Sequence, residues 1–196
     1  MASREDILAR IRAAAPPARE LPEARRFGKR FPNLPAQFAQ ALQDAGGRCV
    51  QIPSPEALGA ALEDLAPYRT GKRIASVFAG VPRGNVRLEE IADAHDLRDV
   101  DLAIVRGEIG VAENGAVWIT EAGLRPHRAL PWIAQHLALV VSAERLVNDM
   151  HEAYERIDVG RGFGCFVSGP SKTADIEQAL VIGAHGPRSA TVFLIG

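Results

Sequence analysis

Short apolar runs, separated by helix-like stretches and by glycine or proline breaks, recur along this chain and constrain its fold most. They fall at residues 49–52, 74–78, 101–105, 116–120, 137–141, 165–167 and 190–195. Continuous apolar runs of this length are typical of strands that are buried on both faces. Strands that alternate with helices predict an α/β domain with a mainly parallel central sheet flanked by helices. One of the predicted helices runs from a Ser142 cap to residue 157.

The first 35 residues have a different character. Ser3 and Asp6 have the spacing of a capping box, so a helix is predicted to begin here and to stop at Pro16 and Pro17. From there to Pro35 the chain is rich in proline and arginine. The sequence therefore predicts an N-terminal helix and proline-rich arm over residues 1–35, followed by the α/β domain over residues 36–196. The arm either wraps the domain surface or docks on a partner subunit.

Composition excludes several classes of protein. Apolar residues make up 47% of the chain, charged residues 24%, and the net charge is −1, which excludes a basic surface built for nucleic acid. The two cysteines form no Cys-x-x-Cys pair and no two histidines have metal-ligand spacing, so neither a metal site nor an iron–sulfur cluster is expected in this chain. The start of the chain lacks the apolar run of a signal peptide, and no stretch has transmembrane length, which predicts a cytoplasmic protein.

The first candidate site follows the apolar run 165–167. A helical pattern from Ser171 to the glycine and proline at 186–187, with a last strand behind it, predicts a βαβ unit. Ligands bind at the carboxyl edge of parallel sheets, where a helix N-terminus offers free N–H groups. Gly169, Ser171, Lys172 and Thr173 are therefore candidates for binding phosphate or carboxylate. The alternative is that the two hydroxyls only cap the helix while Lys172 points to water.

The second candidate is the turn Glu113, Asn114 and Gly115. Asn-Gly is typical of a hairpin turn, so a structural role is the default for residues 114 and 115. A carboxylate next to such a turn can nevertheless be presented to a ligand, and Glu108 is near enough in sequence to pair with Glu113.

Two further loops carry candidate anion ligands. Arg83 lies in a glycine-bounded loop after the run 74–78, and its guanidinium suits an oxyanion. His127 lies in the polar segment 123–128, which suits a flap over a pocket. The loops after residues 79, 106 and 168 are expected to converge on one sheet edge.

Four segments together carry a family resemblance. They are Gly-Pro-Ser-Lys-Thr-Ala-Asp-Ile-Glu at 169–177, Gly-Ala-His-Gly-Pro at 183–187, Gly-Val-Ala-Glu-Asn-Gly-Ala at 110–116 and Arg-Ala-Leu-Pro-Trp at 128–132. In this order they resemble the lactate-utilization protein C family, the LUD-domain proteins. The resemblance implies the sugar-isomerase/CoA-transferase-like superfold. No Gly-x-Gly-x-x-Gly opens a helix after a strand, which agrees with a fold other than a dinucleotide-binding one.

Three functions follow as hypotheses. The resemblance implies a component of a lactate-utilization system that supports oxidation of L-lactate to pyruvate, with iron–sulfur clusters carried by partner proteins. Alternatively, because Glu-Asn-Gly also resembles a motif of CoA-transferases, the chain is a stand-alone enzyme on a CoA ester or phosphorylated sugar. Glu113 would then be the catalytic base or nucleophile. The third hypothesis is a non-catalytic scaffold subunit.

Overall fold

The computed structural model describes residues 3–17, 19–20, 30–124, 126–160, 162–174 and 180–196. The α-helices are α1 Arg4–Ala14, α2 Leu34–Asp44, α3 Leu58–Glu63, α4 Ala66–Thr70, α5 Glu121–Leu124, α6 Leu130–Ile133 and α7 Met150–Arg156. The strands are β1 Arg48–Ile52, β2 Ile74–Ser76, β3 Leu102–Arg106, β4 Ile109–Val111, β5 Ala116–Thr120, β6 His136–Ser142, β7 Leu146–Val147, β8 Gly164–Val167, β9 Lys172–Ala174, β10 Leu180–Ile182 and β11 Ser189–Ile195. Short 3-10 helices cover Pro55–Ala57, Leu88–Glu90, Ala94–Leu97 and Ala143–Arg145.

A five-stranded parallel sheet in the order β1-β11-β6-β3-β2 forms the centre of the molecule. On one face, Leu62 and Tyr68 from the α3–α4 region pack against Ile104 and Phe193 of the sheet. On the other face, α2 and α6 join Val105, Val141 and Leu194 in a second core. The central strands β3, β6 and β11 are buried on both faces, which explains their continuous apolar sequence. The predicted parallel sheet flanked by helices is confirmed.

A second sheet of four strands, in the order β7-β4-β5-β8, packs beside the first. β5 pairs antiparallel with both β4 and β8, and its Val117 and Ile119 enter the same core as the parallel strands. Two predicted strands, β5 and β8, therefore belong to this sheet and not to the central one. The β4–β5 connection is the predicted Asn-Gly hairpin turn, with Gly115 at φ +65°.

The predicted helix after Ser171 is wrong. Residues 172–174 and 180–182 form a two-stranded antiparallel hairpin in which Thr173 pairs with Val181. Residues 175–179 lie outside the described residues. The sequence Leu-Val-Ile of β10 is rich in β-branched side chains, and its strand preference prevails over the helical spacing. No βαβ unit joins β8 to β11, since these two strands lie in different sheets.

The predicted helix from Ser142 to residue 157 is also wrong in its first half. Ser142 does cap a helix, since its Oγ accepts a hydrogen bond from the Glu144 N–H at 3.3 Å, but only the 3-10 turn Ala143–Arg145 follows. Strand β7 then interrupts the pattern, and α7 begins at Met150 with Asp149 as its own cap. Asp149 is a residue type typical of a helix start, but the apolar periodicity over residues 146–157 favoured one longer helix.

The N-terminal helix is confirmed, with Ser3 and Asp6 forming the reciprocal capping box. None of its residues is buried. At the far end of the arm, the Phe31 N–H donates to Asn148 Oδ1 at 2.8 Å and Arg30 pairs with Glu152. This end of the arm is therefore fastened to the start of α7. Residues 21–29 of the arm lie outside the described residues, and the boundary at residue 35 stays a prediction.

Of the helices that the structure describes, none has both the length and the apolar character needed to cross a membrane.

Replacing Gly115 by alanine is expected to destabilise the protein by about 2 kcal/mol or more. Gly115 has a positive φ, and a Cβ there would lie 2.6 Å from the Cα of Leu42 in α2. The free energy of unfolding from urea titration measures the loss. Gly59→Ala is the control, because Gly59 in α3 has open space around it, and this change should stabilise by about 0.5–1 kcal/mol. Equal effects of the two substitutions would contradict the close packing of the hairpin turn on α2.

Candidate functional site

A cleft of about 630 Å³ opens at the carboxyl ends of the parallel strands. Its lining residues are Pro55, Phe78, Arg106, Gly107, Glu108, Val140, Val141, Ser142, Arg145 and Ile195. They come from the ends of β3, β6 and β11 and from the segments after β1 and β2, so all five parallel strands contribute. This is the edge at which open α/β sheets bind ligands, and the volume suits a small molecule.

The cleft depends on Gly107, where the parallel sheet and the second sheet come into close contact. This residue joins β3 of the parallel sheet to β4 of the second sheet, and its N–H donates to the Val140 carbonyl at 2.9 Å. A Cβ on Gly107 would overlap the side chains of Val117 and Val141. Only glycine lets the two sheets meet at this point, and the junction fixes the starting points of the Arg106 and Glu108 side chains beside the cleft.

Glu108 lines both the cleft and a second depression, and its position is well defined. Its backbone N–H donates to the Trp118 carbonyl at 2.8 Å, and its Oε1 accepts a hydrogen bond from Thr120 Oγ1 at 2.5 Å. The second depression, of about 360 Å³, shares Glu108 and continues along Trp118, Thr120, Glu121, Ala122, Arg156, Ile157, Asp158 and Phe163. The carboxylate is therefore half-buried, oriented by a hydroxyl, and accessible from the cleft.

Two arginines supply positive charge at the cleft. Arg106 lies with its guanidinium carbon 5.2 Å from the centre of the Phe78 ring, a cation–π contact that restrains it. Arg145 ends the 3-10 turn that Ser142 caps. Both side chains are exposed, while Val140 and Val141 form a buried apolar wall. Guanidinium groups bind carboxylates with paired hydrogen bonds, so this arrangement can hold a small organic acid.

The structure places Glu113 at the far end of β4 from Glu108. Three intervening strand residues put the two backbone positions roughly 15 Å apart, so the predicted pairing of these carboxylates is wrong. Glu113 Oε2 accepts a hydrogen bond from the Met150 N–H at 3.2 Å and so caps the first turn of α7. Asn114 Oδ1 accepts from the Ala116 N–H at 3.0 Å within the hairpin turn.

The bend before Lys172 does contact this turn. Ser168 Oγ donates to the Asn114 carbonyl at 2.8 Å, and Gly169, at φ +70°, packs against Ala45 at the end of α2. Ser171 donates its N–H to the Pro187 carbonyl at 2.9 Å, and Lys172 is exposed on the hairpin next to Thr173. These residues lie outside the cleft lining, and the helix N-terminus on which the anion argument rested is a strand. A ligand role for Gly169, Ser171, Lys172, Thr173, Glu113, Asn114 and Gly115 stays a prediction.

Arg83 and His127 lie away from the cleft as well. The loop after β2 turns back to the amino end of that strand, where Arg83 Nη2 donates to the Gly71 carbonyl at 3.5 Å and its guanidinium lies over Tyr68. The His127 ring is buried, with Nε2 3.1 Å from the Leu88 carbonyl oxygen. Of the three loops expected to converge, the one after residue 106 lines the cleft. The loop after residue 79 leaves it, although Phe78 just before that loop is part of the lining, and the loop after residue 168 is not in the lining. Anion contact by Arg83 or His127 stays a prediction.

Sequence reasoning missed Arg106 and Arg145 and gave Glu108 the wrong partner. The available signal was the tripeptide Arg-Gly-Glu at 106–108, directly after the apolar run 101–105, where two charges flank a glycine at a strand's carboxyl end. Arg145 was not recognised as a cleft residue because the predicted helix from Ser142 to residue 157 included it.

Neither cysteine has the environment of a nucleophile. Burial raises the pKa of Cys49 to about 11 and also raises the pKa of Cys165. The two thiols are free and half-buried. Among the residues that the structure describes, no group of three or more His, Cys, Asp or Glu side chains could hold a metal ion.

The fold and the site define an α/β protein with a ligand-sized cleft at the carboxyl edge of its parallel sheet. Residues 68–195 match the LUD domain family, so this chain belongs to that family. The structure is similar to that of a DUF162 family protein from Deinococcus radiodurans, with a TM-score of 0.62 at 21% identity, over 83% of this chain and 96% of that one. This likeness shows the fold.

Several relatives are named lactate utilization protein C. The protein of that name from Deinococcus radiodurans is 27% identical over 170 residues, which covers 82% of this chain and 78% of the relative. The protein of that name from Shouchella clausii is 32% identical over 101 residues, which covers 48% of this chain and 44% of the relative. A third, from Oceanobacillus iheyensis, is 30% identical over 102 residues, covering 48% and 43%. The chain therefore spans less than half the length of the last two.

Alkylation of Cys49 by iodoacetamide at pH 8 should be at least about 100-fold slower than that of an unstructured cysteine. A pKa of about 11 leaves a far smaller thiolate fraction than the ordinary value of about 8.5. Mass spectrometry of the Cys165→Ala variant isolates this thiol, and the same variant in denaturant gives the reference rate. The native rate should also rise with pH up to the pKa. Rapid labelling at pH 8 would contradict the buried, neutral thiol.

Proposed function

We propose that this protein acts in lactate utilization, as a component that supports the oxidation of L-lactate to pyruvate together with iron–sulfur partner proteins. The observation that carries this proposal is that Arg106 and Arg145 line a cleft with an apolar wall. The names of the relatives support the same role, and the Deinococcus protein supports it over most of both chains.

The cleft has a group for each part of a small 2-hydroxy acid. The guanidinium of Arg106 or Arg145 suits the carboxylate. Glu108, already oriented by Thr120, can accept a hydrogen bond from the hydroxyl. Val140 and Ile195 suit the methyl group by excluding water from it.

Oxidation of lactate breaks the C–H bond at its second carbon and the O–H bond of the hydroxyl on that carbon. It removes two electrons and two protons in all. A chemical acceptor is required for the electrons, and the proposal assigns it to iron–sulfur clusters in partner proteins. Such clusters are held by sets of cysteine thiolates, and this chain has two cysteines, far apart in sequence. Its own contribution is then to bind and orient the acid. A cytoplasmic location, which fits such a system, stays a prediction.

The other two hypotheses remain as alternatives that experiment can separate. A stand-alone enzyme that acts through Glu113 requires a carboxylate that the cap on Met150 now occupies. A scaffold subunit requires no acid site, and it predicts that the charges of the cleft are dispensable.

The test is complementation of a strain that lacks this chain alone. Wild-type protein is expected to restore L-lactate oxidation in lysates. Arg106→Met with Arg145→Met should restore about a tenth or less, because each lost charge-assisted hydrogen bond costs about 1.5–3 kcal/mol. Arg48→Met is the control, since this exposed arginine lies outside the cleft.

Full activity of the double variant would overturn the acid site and favour the scaffold. Normal oxidation in the strain that lacks the chain would overturn the role in lactate utilization altogether. If Glu113→Gln alone abolished an activity of the purified protein on acyl-CoA or sugar phosphate, the stand-alone enzyme would replace the proposal.

A further inference from the structure

A further depression, of about 570 Å³, lies at the opposite edge of the parallel sheet, where the strands begin. Its lining residues are Lys72, Arg73, Arg98, Asp99, Asp101, Gln135, His136 and Arg188. They precede or open β2, β3, β6 and β11. The proposed lactate role makes no use of this edge.

The lining is strongly basic for this protein. Lys72, Arg73, Arg98 and Arg188 face two carboxylates, Asp99 and Asp101, so the depression carries a formal charge of +2 on a chain whose net charge is −1. A concave surface with an excess of positive charge attracts negative counter-ions. This depression therefore favours an anion.

Both carboxylates are already engaged. Asp101 Oδ2 accepts the backbone N–H groups of Lys72 and Arg73 at 2.7 and 2.9 Å. Asp99 lies 3.8 Å from guanidinium nitrogens of both Arg73 and Arg98. Asp101 is thus held by the backbone, and the single charge of Asp99 is shared between Arg73 and Arg98.

Two cations are left over. Among the residues that the structure describes, neither the Lys72 ammonium nor the Arg188 guanidinium has a side-chain or carbonyl partner. Arg188 is fixed at its backbone, where its N–H donates to the Gln135 carbonyl at 2.8 Å. Both side chains are exposed to the depression, and a phosphate dianion would offer oxygens to each of them.

The pKa of His136, the first residue of β6, depends on the same charges. Its Nδ1 lies 2.8 Å from Ser189 Oγ. Burial lowers the pKa of His136, Arg188 lowers it further, and Asp101 opposes them. The charged groups of the depression that surround it are those of Lys72, Arg73, Arg98, Arg188, Asp99 and Asp101. An anion on Arg188 would offset the repulsion and raise the pKa of the ring.

We propose that this amino-edge depression is a phosphate-binding site, held chiefly by Lys72 and Arg188. Its volume is large enough for a nucleoside monophosphate as well as for free phosphate, and the phosphate group is the shared chemistry. Arginine and lysine together suit this group because one supplies a planar fork and the other a point charge.

The test measures binding of inorganic phosphate and, in a second arm, of adenosine monophosphate to the full chain by calorimetry at fixed ionic strength. Saturable binding is expected. Arg188→Met and Lys72→Met should each weaken it by about tenfold, the effect of one charge-assisted hydrogen bond. Arg10→Met is the matched control, because Arg10 is an exposed arginine of α1. Tighter binding of the nucleotide would identify the phosphate as part of a nucleotide, and equal affinities would identify phosphate itself as the determinant.

The NMR titration of the His136 ring provides a second readout. Phosphate should raise the pKa of His136 in the wild type and leave it unchanged in Arg188→Met, whose thermal unfolding without phosphate should match the wild type. The proposal is overturned if sodium chloride of equal ionic strength has the same effect as phosphate, or if Arg188→Met binds as tightly as the wild type.

Discussion

The fit of Gly107 between Val117 and Val141 is the constraint on which the rest of this structure depends. At this residue the chain leaves the parallel sheet and enters the second sheet, and the absence of a side chain lets the two sheets share one core. The same junction places Arg106 and Glu108 beside one cleft. A methyl group here would push the sheets apart or displace both charges, so packing and the proposed chemistry are coupled at one position.

The segments that carry the family resemblance have a clear structural role. Gly115 and Gly169 both approach the backbone of α2, at Leu42 and Ala45, with positive φ at each glycine. Gly110 lies against Phe38 and Leu146 in the same region. The hairpin turn and the bend before Lys172 therefore pack α2 against the second sheet. These glycine-bearing motifs have a role in packing, whether or not they also bind a ligand.

The parallel sheet was predictable because its central strands are buried on both faces and therefore have continuous apolar sequences. The Asn-Gly turn and the Ser3 cap were predictable because they are set by local chemistry. The hairpin of β9 and β10 was not, since helical spacing and β-branched residues compete in the same segment and tertiary context decides between them. β7 was hidden in the same way, because Leu146 and Val147 fit the apolar face of a helix that in fact begins at Met150. The error in the site prediction came from these errors in secondary structure. Lys172 was expected at a helix N-terminus but lies in a strand, and the charged residues beside the cleft are those that flank Gly107.

An NMR titration with pyruvate, using methyl-labelled protein, tests the central claim most directly. If the carboxyl-edge cleft holds the acid, the methyl signals of Val140, Val141 and Ile195 will shift in a saturable way while those of Leu180 and Ile182 on the hairpin stay constant. Shifts confined to the hairpin, or no saturable shift at the three cleft residues, would contradict the account.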